Sequence, residues 1–386
     1  MHPTKAYPSF EEAKTRDETG IELLSACLAM SPTTGDTMRL RVRLLSDVTV
    51  WERLFEAASA LRLMPALAVR LRARGLVPPQ ARQNDPDRLT PSSILDAQWA
   101  DHLSIRARQA ATLTNIITIL NGLAIQPILI KGAHCLWAET DSWRTMRDLD
   151  ILVPGARARE ANEALMAEGY LPLPDAANRP NRHHLDLLFR HDLPGWVEIH
   201  RRAGNPYAEQ FLRTAEIAAR SVLTEHPTGR ARILPAPVHI WHGLVHHHFG
   251  HSGFARGTVD LKGLFEFAMA VSALPAKDVE RLVALASRDA AGLAAFDLWV
   301  AAAVDLFGMP LPPGVPLPED AVAAWQKIGQ RNRGQAAGPK HRGYFEFILL
   351  SWARERARRV RPKPALGSIG ARCRVIERLL PKLRRT

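Results

Sequence analysis

Asp148 and Asp150 flank Leu149 in the stretch Arg147-Asp-Leu-Asp-Ile-Leu-Val153. In a strand, alternate side chains share a face. The two carboxylates therefore point one way, while Leu149 and Ile151 point into the core. Like charges held together repel, and burial strips their hydration. A hard divalent cation such as Mg²⁺ relieves both costs, because it takes oxygen ligands and commonly combines one or two carboxylates with substrate phosphates. A third carboxylate on a neighbouring strand would complete such a site. Glu198, between Val197 and Ile199 in the same polar/apolar alternation, meets the two aspartates if the strands pair. The competing reading is a solvated strand end whose acids pair with Arg144 and Arg147.

Elements must position these residues. Pro127-Ile-Leu-Ile130 is a short apolar run that ends in Lys131-Gly132, which predicts a buried strand leading into a turn. Residues 133–140 suit a short helix. The aspartate strand stops at Pro154-Gly155, and 157–169 is an amphipathic helix with glycine at its C-terminus. Residues 184–190 and 195–200 read as two strands around a Pro-Gly turn. Together 126–202 form a small α/β unit. Apolar residues recur at three and four through Trp51 to Met64, within a helical stretch over 22–76, and a second runs over 92–123. Helices return at 238–248, 259–271, 277–287 and 290–306. Pro78, Pro79 and 83–88 mark a loop, 310–318 a proline-rich linker and 332–342 a polar segment. The expected organisation is a leader over 1–17, helices over 18–125, an α/β core over 126–234, helices over 235–350 and a basic tail over 351–386. The fold class is α+β, a small mixed sheet flanked by helical regions.

The ordered set Gly132, Asp148-x-Asp150 and Glu198 resembles the polymerase-beta-type nucleotidyltransferase superfamily. Lys131-Gly132, Arg147 before the aspartates and Val197-Glu-Ile-His200 look more closely like the uncharacterised bacterial nucleotidyltransferase family written NTP_transf_5. The similarity runs from Trp51 to about Phe267. It includes the tryptophan-led helix, the Gly169-Tyr170 that closes a helix, and a His-rich helix followed by Asp260. Where the superfamily usually has Gly-Ser or Gly-Gly, this chain has Gly132-Ala133, which removes a phosphate-contacting hydroxyl.

The resemblance implies a nucleotidyltransferase-type sheet and a Mg²⁺- or Mn²⁺-dependent transfer of a nucleotidyl group from an NTP, ATP first, to an acceptor hydroxyl. It casts Asp148, Asp150 and Glu198 as metal ligands, with Glu198 helping to deprotonate that hydroxyl. The backbone at Gly132 would hold phosphate oxygens, and Lys131 and Arg147 would offset their charge. His246 and Asp260 would face the nucleotide. Relatives that accompany lasso-peptide genes imply a peptide acceptor as one class, beside small molecules such as aminoglycoside-like compounds, and proteins. The alternatives are a catalytically degenerate nucleotide-binding module, favoured by Ala133, and an adaptor acting through the basic tail.

His239, His242, His246, His247, His248 and His251 crowd one segment. His242 and His246 have zinc-ligand spacing, but no H-E-x-x-H occurs. P-loop, nucleophile-elbow, dinucleotide-binding and kinase signatures are absent from the sequence. The three cysteines are scattered without a C-x-x-C pair, which fits a reducing cytoplasm. The first residues lack a secretion-signal pattern. The most apolar stretch, 116–130, is too short and too polar to span a bilayer. Apolar residues make up 46% and charged residues 23% of the 386, which excludes global disorder. Of the net +12, the segment 351–386 carries +10 through twelve basic residues against Glu355 and Glu377. The body is nearly neutral, so the tail is where an anionic membrane surface or nucleic acid would be met.

Overall fold

The computed structural model describes residues 20–77, 90–138, 140, 142–173, 183–250, 259–319, 321–323 and 325. The expected leader, the loop over 78–89, the segment 332–342 and the basic tail lie outside the described residues.

Four helices open the fold: α1 (Gly20–Leu28), α2 (Thr34–Ser46), α3 (Val48–Ala60) and α4 (Met64–Ala73). Thr33 and Asp36 cap α2 reciprocally, each side chain taking the other's backbone N–H, which satisfies two donors that a helix start leaves orphaned. The long helix α5 (Pro91–Gly122) begins in the same way, with Thr90 and Ser93 as the box and proline in its first turn. The sheet region follows: β1 (Ile128–Leu129), α6 (Lys131–Trp137), β2 (Asp148–Leu152), α7 (Ala158–Ala167), β3 (Leu171–Pro172), β4 (Leu188–Arg190), β5 (Leu193–His200), α8 (Thr214–Arg220), β6 (Val222–His226) and β7 (Gly229–Ile233). The chain closes with α9 (Ala236–Val245), a five-residue π turn over His246–Gly250, α10 (Leu261–Ser272), α11 (Ala276–Ala286) and α12 (Ala290–Phe307). The fold is α+β.

The seven strands form one mixed sheet in the order β3-β4-β5-β2-β1-β7-β6. Parallel pairing of β2 with β5 sets Leu149 beside Val197, Asp150 beside Glu198 and Ile151 beside Ile199. One face of these strands is apolar and fully buried. Leu149, Ile151, Val197 and Ile199 pack there with Leu113, Ile116, Ile117 and Leu120 of α5 and Ala161 and Leu165 of α7. The alternation that buries these residues leaves Asp148, Asp150 and Glu198 on the opposite face.

A second core joins helices from both ends of the chain. Leu24, Leu28, Leu54 and Leu67 pack in one cluster with Trp241, Phe265, Phe296 and Trp299, and the Met30 N–H donates to the Phe307 carbonyl at 2.7 Å. The two helical regions, far apart in sequence, are one body. Helix α5 bridges the cores, with Leu95 in the helical cluster and Leu113 to Leu120 under the sheet.

One expectation is corrected. Pro194-Gly195 is not the turn between β4 and β5. The turn is His191-Asp192, and Pro-Gly forms an irregularity inside β5, where the register shifts after Phe189 and Gly195 adopts φ 94°. The β6–β7 hairpin, within the expected core of 126–234, joins the sheet through β1 and β7 in parallel. Helix α12 is a second apolar stretch. It is long and apolar enough to cross a membrane by composition, yet two-thirds of it, 67%, is buried inside the protein. Its apolar residues, among them Phe296, Leu298, Trp299 and Val300, are spent on the helical core.

Candidate functional site

Asp150 lies mid-strand in β2 and is 2% exposed. A carboxylate there needs compensating charge and hydrogen bonds. Both come to one oxygen: Lys131 Nζ lies 2.5 Å from Oδ1, and the His200 Nε2–H donates to the same atom at 2.9 Å. Burial opposes ionisation of Asp150, but the Lys131 charge and the His200 hydrogen bond outweigh it and hold the carboxyl below its ordinary range. The competing reading from the sequence, acids paired with Arg144 and Arg147, is corrected in its partner. Arg144 is engaged with Glu266 at 2.9 Å, and the counter-ion of Asp150 is Lys131.

Lys131 reaches Asp150 from a special backbone position. It begins α6, with only Ile130 between it and β1, at φ 50°, the left-handed region. There a non-glycine residue costs on the order of 1–2 kcal/mol. The turn lets the chain reverse within a residue and brings Gly132 against the segment before β2. A Cβ on Gly132 would meet Arg144 Nη1 and Met146 Cβ, both at 3.0 Å. Glycine at this position leaves room for the Arg144 and Met146 side chains packed over the turn.

Glu198 stands opposite Asp150 on β5, as the strand pairing requires. His200, two residues on and on the same face, is fully buried and also donates from Nε2 to Glu198 Oε2 at 3.2 Å. Burial raises the Glu198 carboxyl, yet the His200 hydrogen bond and the charges of His200 and His184 bring it below its usual range. Burial pushes His200 down, but its bonds to the two acids prevail and its pKa is raised. Asp148 differs from both. Burial, then the charges of Asp150 and Glu198, push its carboxyl up, and the Lys131 charge opposes this only in part. His183 and His184 complete an imidazole cluster beside His200, with ring centroids 4.8 to 5.5 Å apart. Burial first, then the charges of His200 and His184, depress His183 to about 3.

The site opens into a cleft of roughly 700 Å³. All eight residues singled out in the sequence line it: Lys131, Gly132, Arg147, Asp148, Asp150, Glu198, His246 and Asp260. The sheet supplies its floor, and α9, the π turn and α10 supply the far wall. Asp260 sits on that wall as the cap of α10, accepting from the Lys262 and Gly263 N–H groups, and pairs with His247 Nδ1 at 3.0 Å. Lys262 ties α10 to the loop before β2, donating to the Thr145 carbonyl at 2.7 Å and lying 3.2 Å from Glu266.

The donor set fits a divalent cation. Asp150, Glu198 and His200 can each offer one ligand atom, and those atoms lie within 4.8 Å of one another; among the described residues this is the group of three or more with that property. Asp148, on the same face, is raised first by burial and then by the charges of Asp150 and Glu198, and a bound cation would oppose both. His200 is the residue that reading for carboxylates passes over. The same two-residue spacing that pairs Asp148 with Asp150 pairs Glu198 with His200. The zinc-type spacing of His242 and His246 is used differently. His242 is buried and donates from Nε2 to the Ala203 carbonyl at 3.2 Å, and the two rings stand 6.3 Å apart.

The sheet sets the paired acidic strands and the turn at Lys131-Gly132 together at one cleft. The chain belongs to the uncharacterised nucleotidyltransferase family, whose profile matches residues 47–303, well over half of it. That span takes in every described strand and ten of the twelve α-helices in whole or part, the site included. Nucleotidyl transfer is accordingly the general activity class. A comparison with curated proteins gives no match.

Proposed function

We propose that the protein is a Mg²⁺- or Mn²⁺-dependent nucleotidyltransferase that moves a nucleotidyl group from an NTP, with ATP the first candidate, to a hydroxyl of a peptide, small-molecule or protein acceptor. The observation that supports this best is the parallel register of β2 and β5. It sets Asp150 against Glu198 at the floor of the cleft, with Asp148 two residues away on the same face.

Asp148, Asp150 and Glu198 would hold the metal, with His200 as a further donor. Bound there, a divalent ion neutralises phosphate charge and lowers the pKa of a coordinated hydroxyl. Glu198 is ionised at neutral pH and suited to accept the acceptor's proton at Oε1 or Oε2. Arg147 and Lys131 face the cleft, where phosphates would need cations, and His246 and Asp260 line the wall opposite. The cleft volume suits a nucleotide with part of an acceptor. An RNA end is disfavoured, because the chain outside 351–386 is nearly neutral.

A non-catalytic nucleotide-binding module is the second reading. Ala133 supports it, since this fully buried position offers no hydroxyl beside Gly132. Pyrophosphate release separates the two readings. With Mg²⁺, each NTP in turn and a panel of hydroxyl acceptors, an enzyme releases pyrophosphate, and Asp150→Asn abolishes the release. A module binds NTP without release under any acceptor. An anionic contact through 351–386 is a separate expectation: deletion of that segment is predicted to leave turnover intact and to remove binding to anionic vesicles. A cytoplasmic location is proposed on the cysteine pattern alone.

A further inference from the structure

Lys131 occupies an unusual place. It is the first residue of α6, one residue beyond β1, held left-handed, and its ammonium lies 2.5 Å from Oδ1 of a carboxylate that is itself buried. His200 Nε2 donates to the same oxygen. Oδ1 therefore already serves two cationic or donor groups. A metal ion drawing on Asp150 would stand within a few ångström of the Lys131 ammonium, in a setting where like charges are poorly screened. The two cations compete for one carboxylate. Lys131 also lines the open cleft and carries its charge on a flexible four-carbon arm, so it has somewhere to go.

We propose that Lys131 is the resident counter-ion of the metal site, holding Asp150 before metal arrives and passing to the nucleotide's phosphates when metal takes its place. This rests on the reading that Asp150 is a metal ligand. The exchange makes metal and nucleotide bind cooperatively. Metal alone must uncover a buried charge pair, whereas metal with a triphosphate gives the ammonium a new partner. It also accounts for a lysine in a left-handed turn, since that position lets one side chain reach both the floor of the cleft and its open space. Lys131 is in this sense a positioning residue that sets the order of binding.

The test is Mn²⁺ binding, followed by electron paramagnetic resonance, to the full chain with no nucleotide present. Lys131→Gln keeps a donor for Asp150 but removes the charge, and Lys131→Arg keeps the charge. Lys131→Gln is expected to bind Mn²⁺ about tenfold more tightly than wild type, a typical size for coupling between sites. Lys131→Arg is expected to bind no more tightly than wild type. A non-hydrolysable triphosphate should tighten Mn²⁺ binding to wild type and do so much less for Lys131→Gln. Equal or weaker Mn²⁺ binding by Lys131→Gln, with wild-type binding still abolished by Asp150→Asn, overturns the exchange and leaves the metal site standing. Mn²⁺ binding that Asp150→Asn does not change overturns the metal-site reading, and this proposal with it. A measurement on wild type needs no variant to fold: acylation of the Lys131 amine, read by peptide mass. Labelling should rise with Mn²⁺ alone and fall when the triphosphate analogue is added. Labelling indifferent to Mn²⁺ overturns the proposal.

Discussion

Asp148 is charged at a cost that its neighbours on the strands do not share. Its pKa is raised by burial and by the charges of Asp150 and Glu198. A carboxyl whose folded pKa lies above its unfolded value favours folding below that unfolded value and loses the benefit as pH rises through the folded pKa. Its ionisation works against burial and against the charges of Asp150 and Glu198. Asp148→Asn should therefore stabilise the metal-free protein by about 1 kcal/mol, seen as a rise of about 2 °C in Tm, while weakening Mn²⁺ binding. A fall in Tm would show that Asp148 is compensated after all. Glu198→Gln should keep the fold and cut turnover by about 10²–10⁴, the usual weight of a general base. Initial rates with saturating NTP check it. His200 has the pH dependence of a paired imidazole: its raised pKa gives stability that is full below about 6.5, the unfolded value, and is lost as pH rises through the folded one. The acidic residues were legible from period-two alternation alone, and His200 follows from the same rule. The Lys131–Asp150 pair was not, because it depends on a left-handed turn that no side-chain pattern announces.

At the scale of elements, the site is a consequence of register. β2 and β5 are parallel neighbours, so a shift of one residue would turn Asp148 and Asp150 into the apolar core under α5. That makes the register strongly specified. The strand holding Glu198 was readable because Val197 and Ile199 alternate with polar residues. The hairpin β6–β7 was not. Gly229-Arg-Ala-Arg-Ile233 shows one fully buried residue, Ala231, between two arginines and lacks the composition of a core strand. Its place is fixed instead by α5. Asn121 accepts from the Arg230 N–H at 2.7 Å, and Gly229, at φ 151°, packs so closely that a Cβ would meet Ile117 at 2.8 Å and Asn121 at 2.9 Å. Gly229→Ala is expected to cost about 1–3 kcal/mol through overpacking and backbone strain. Chemical denaturation checks it. A neutral result would mean that the hairpin is free to move off α5.

Across the whole molecule, the histidines set an acid limit. Burial lowers His134 and His242 to about 4 and His248 to about 3, and pushes His239 well below its ordinary value. Each is neutral in the fold and protonated in the unfolded chain below about pH 6.5. Their contribution is present above that value and is lost as pH falls towards the folded pKa, by up to about 1.4 kcal/mol per pH unit for each group. Tm should fall on the order of 10 °C between pH 7.5 and pH 5. A flat profile would show that these imidazoles find charge partners on unfolding or bind protons in the fold. Three of these four, His239, His242 and His248, were legible as part of a histidine cluster, but their packing role was not, because their cover comes from elsewhere in the chain: His134 of α6 stacks on His239, and Trp299 of α12 meets His248. The union of the N-terminal and C-terminal helices into one core was equally hidden, since each amphipathic face shows that it must be covered and not by which partner.

The central claim is that a nucleotide and a divalent metal meet at Asp148, Asp150 and Glu198. Thermal melting tests it most directly, on wild type and Asp150→Asn, with Mg²⁺ and each NTP separately and together. A ligand at one hundred times its dissociation constant stabilises by about 2.7 kcal/mol, a shift of roughly 3 °C for a chain of this size. The account predicts that shift for at least one NTP with Mg²⁺, a far smaller one for either alone, and none in Asp150→Asn. A shift that is the same in Asp150→Asn, or no shift with any NTP in a folded wild type, would contradict it.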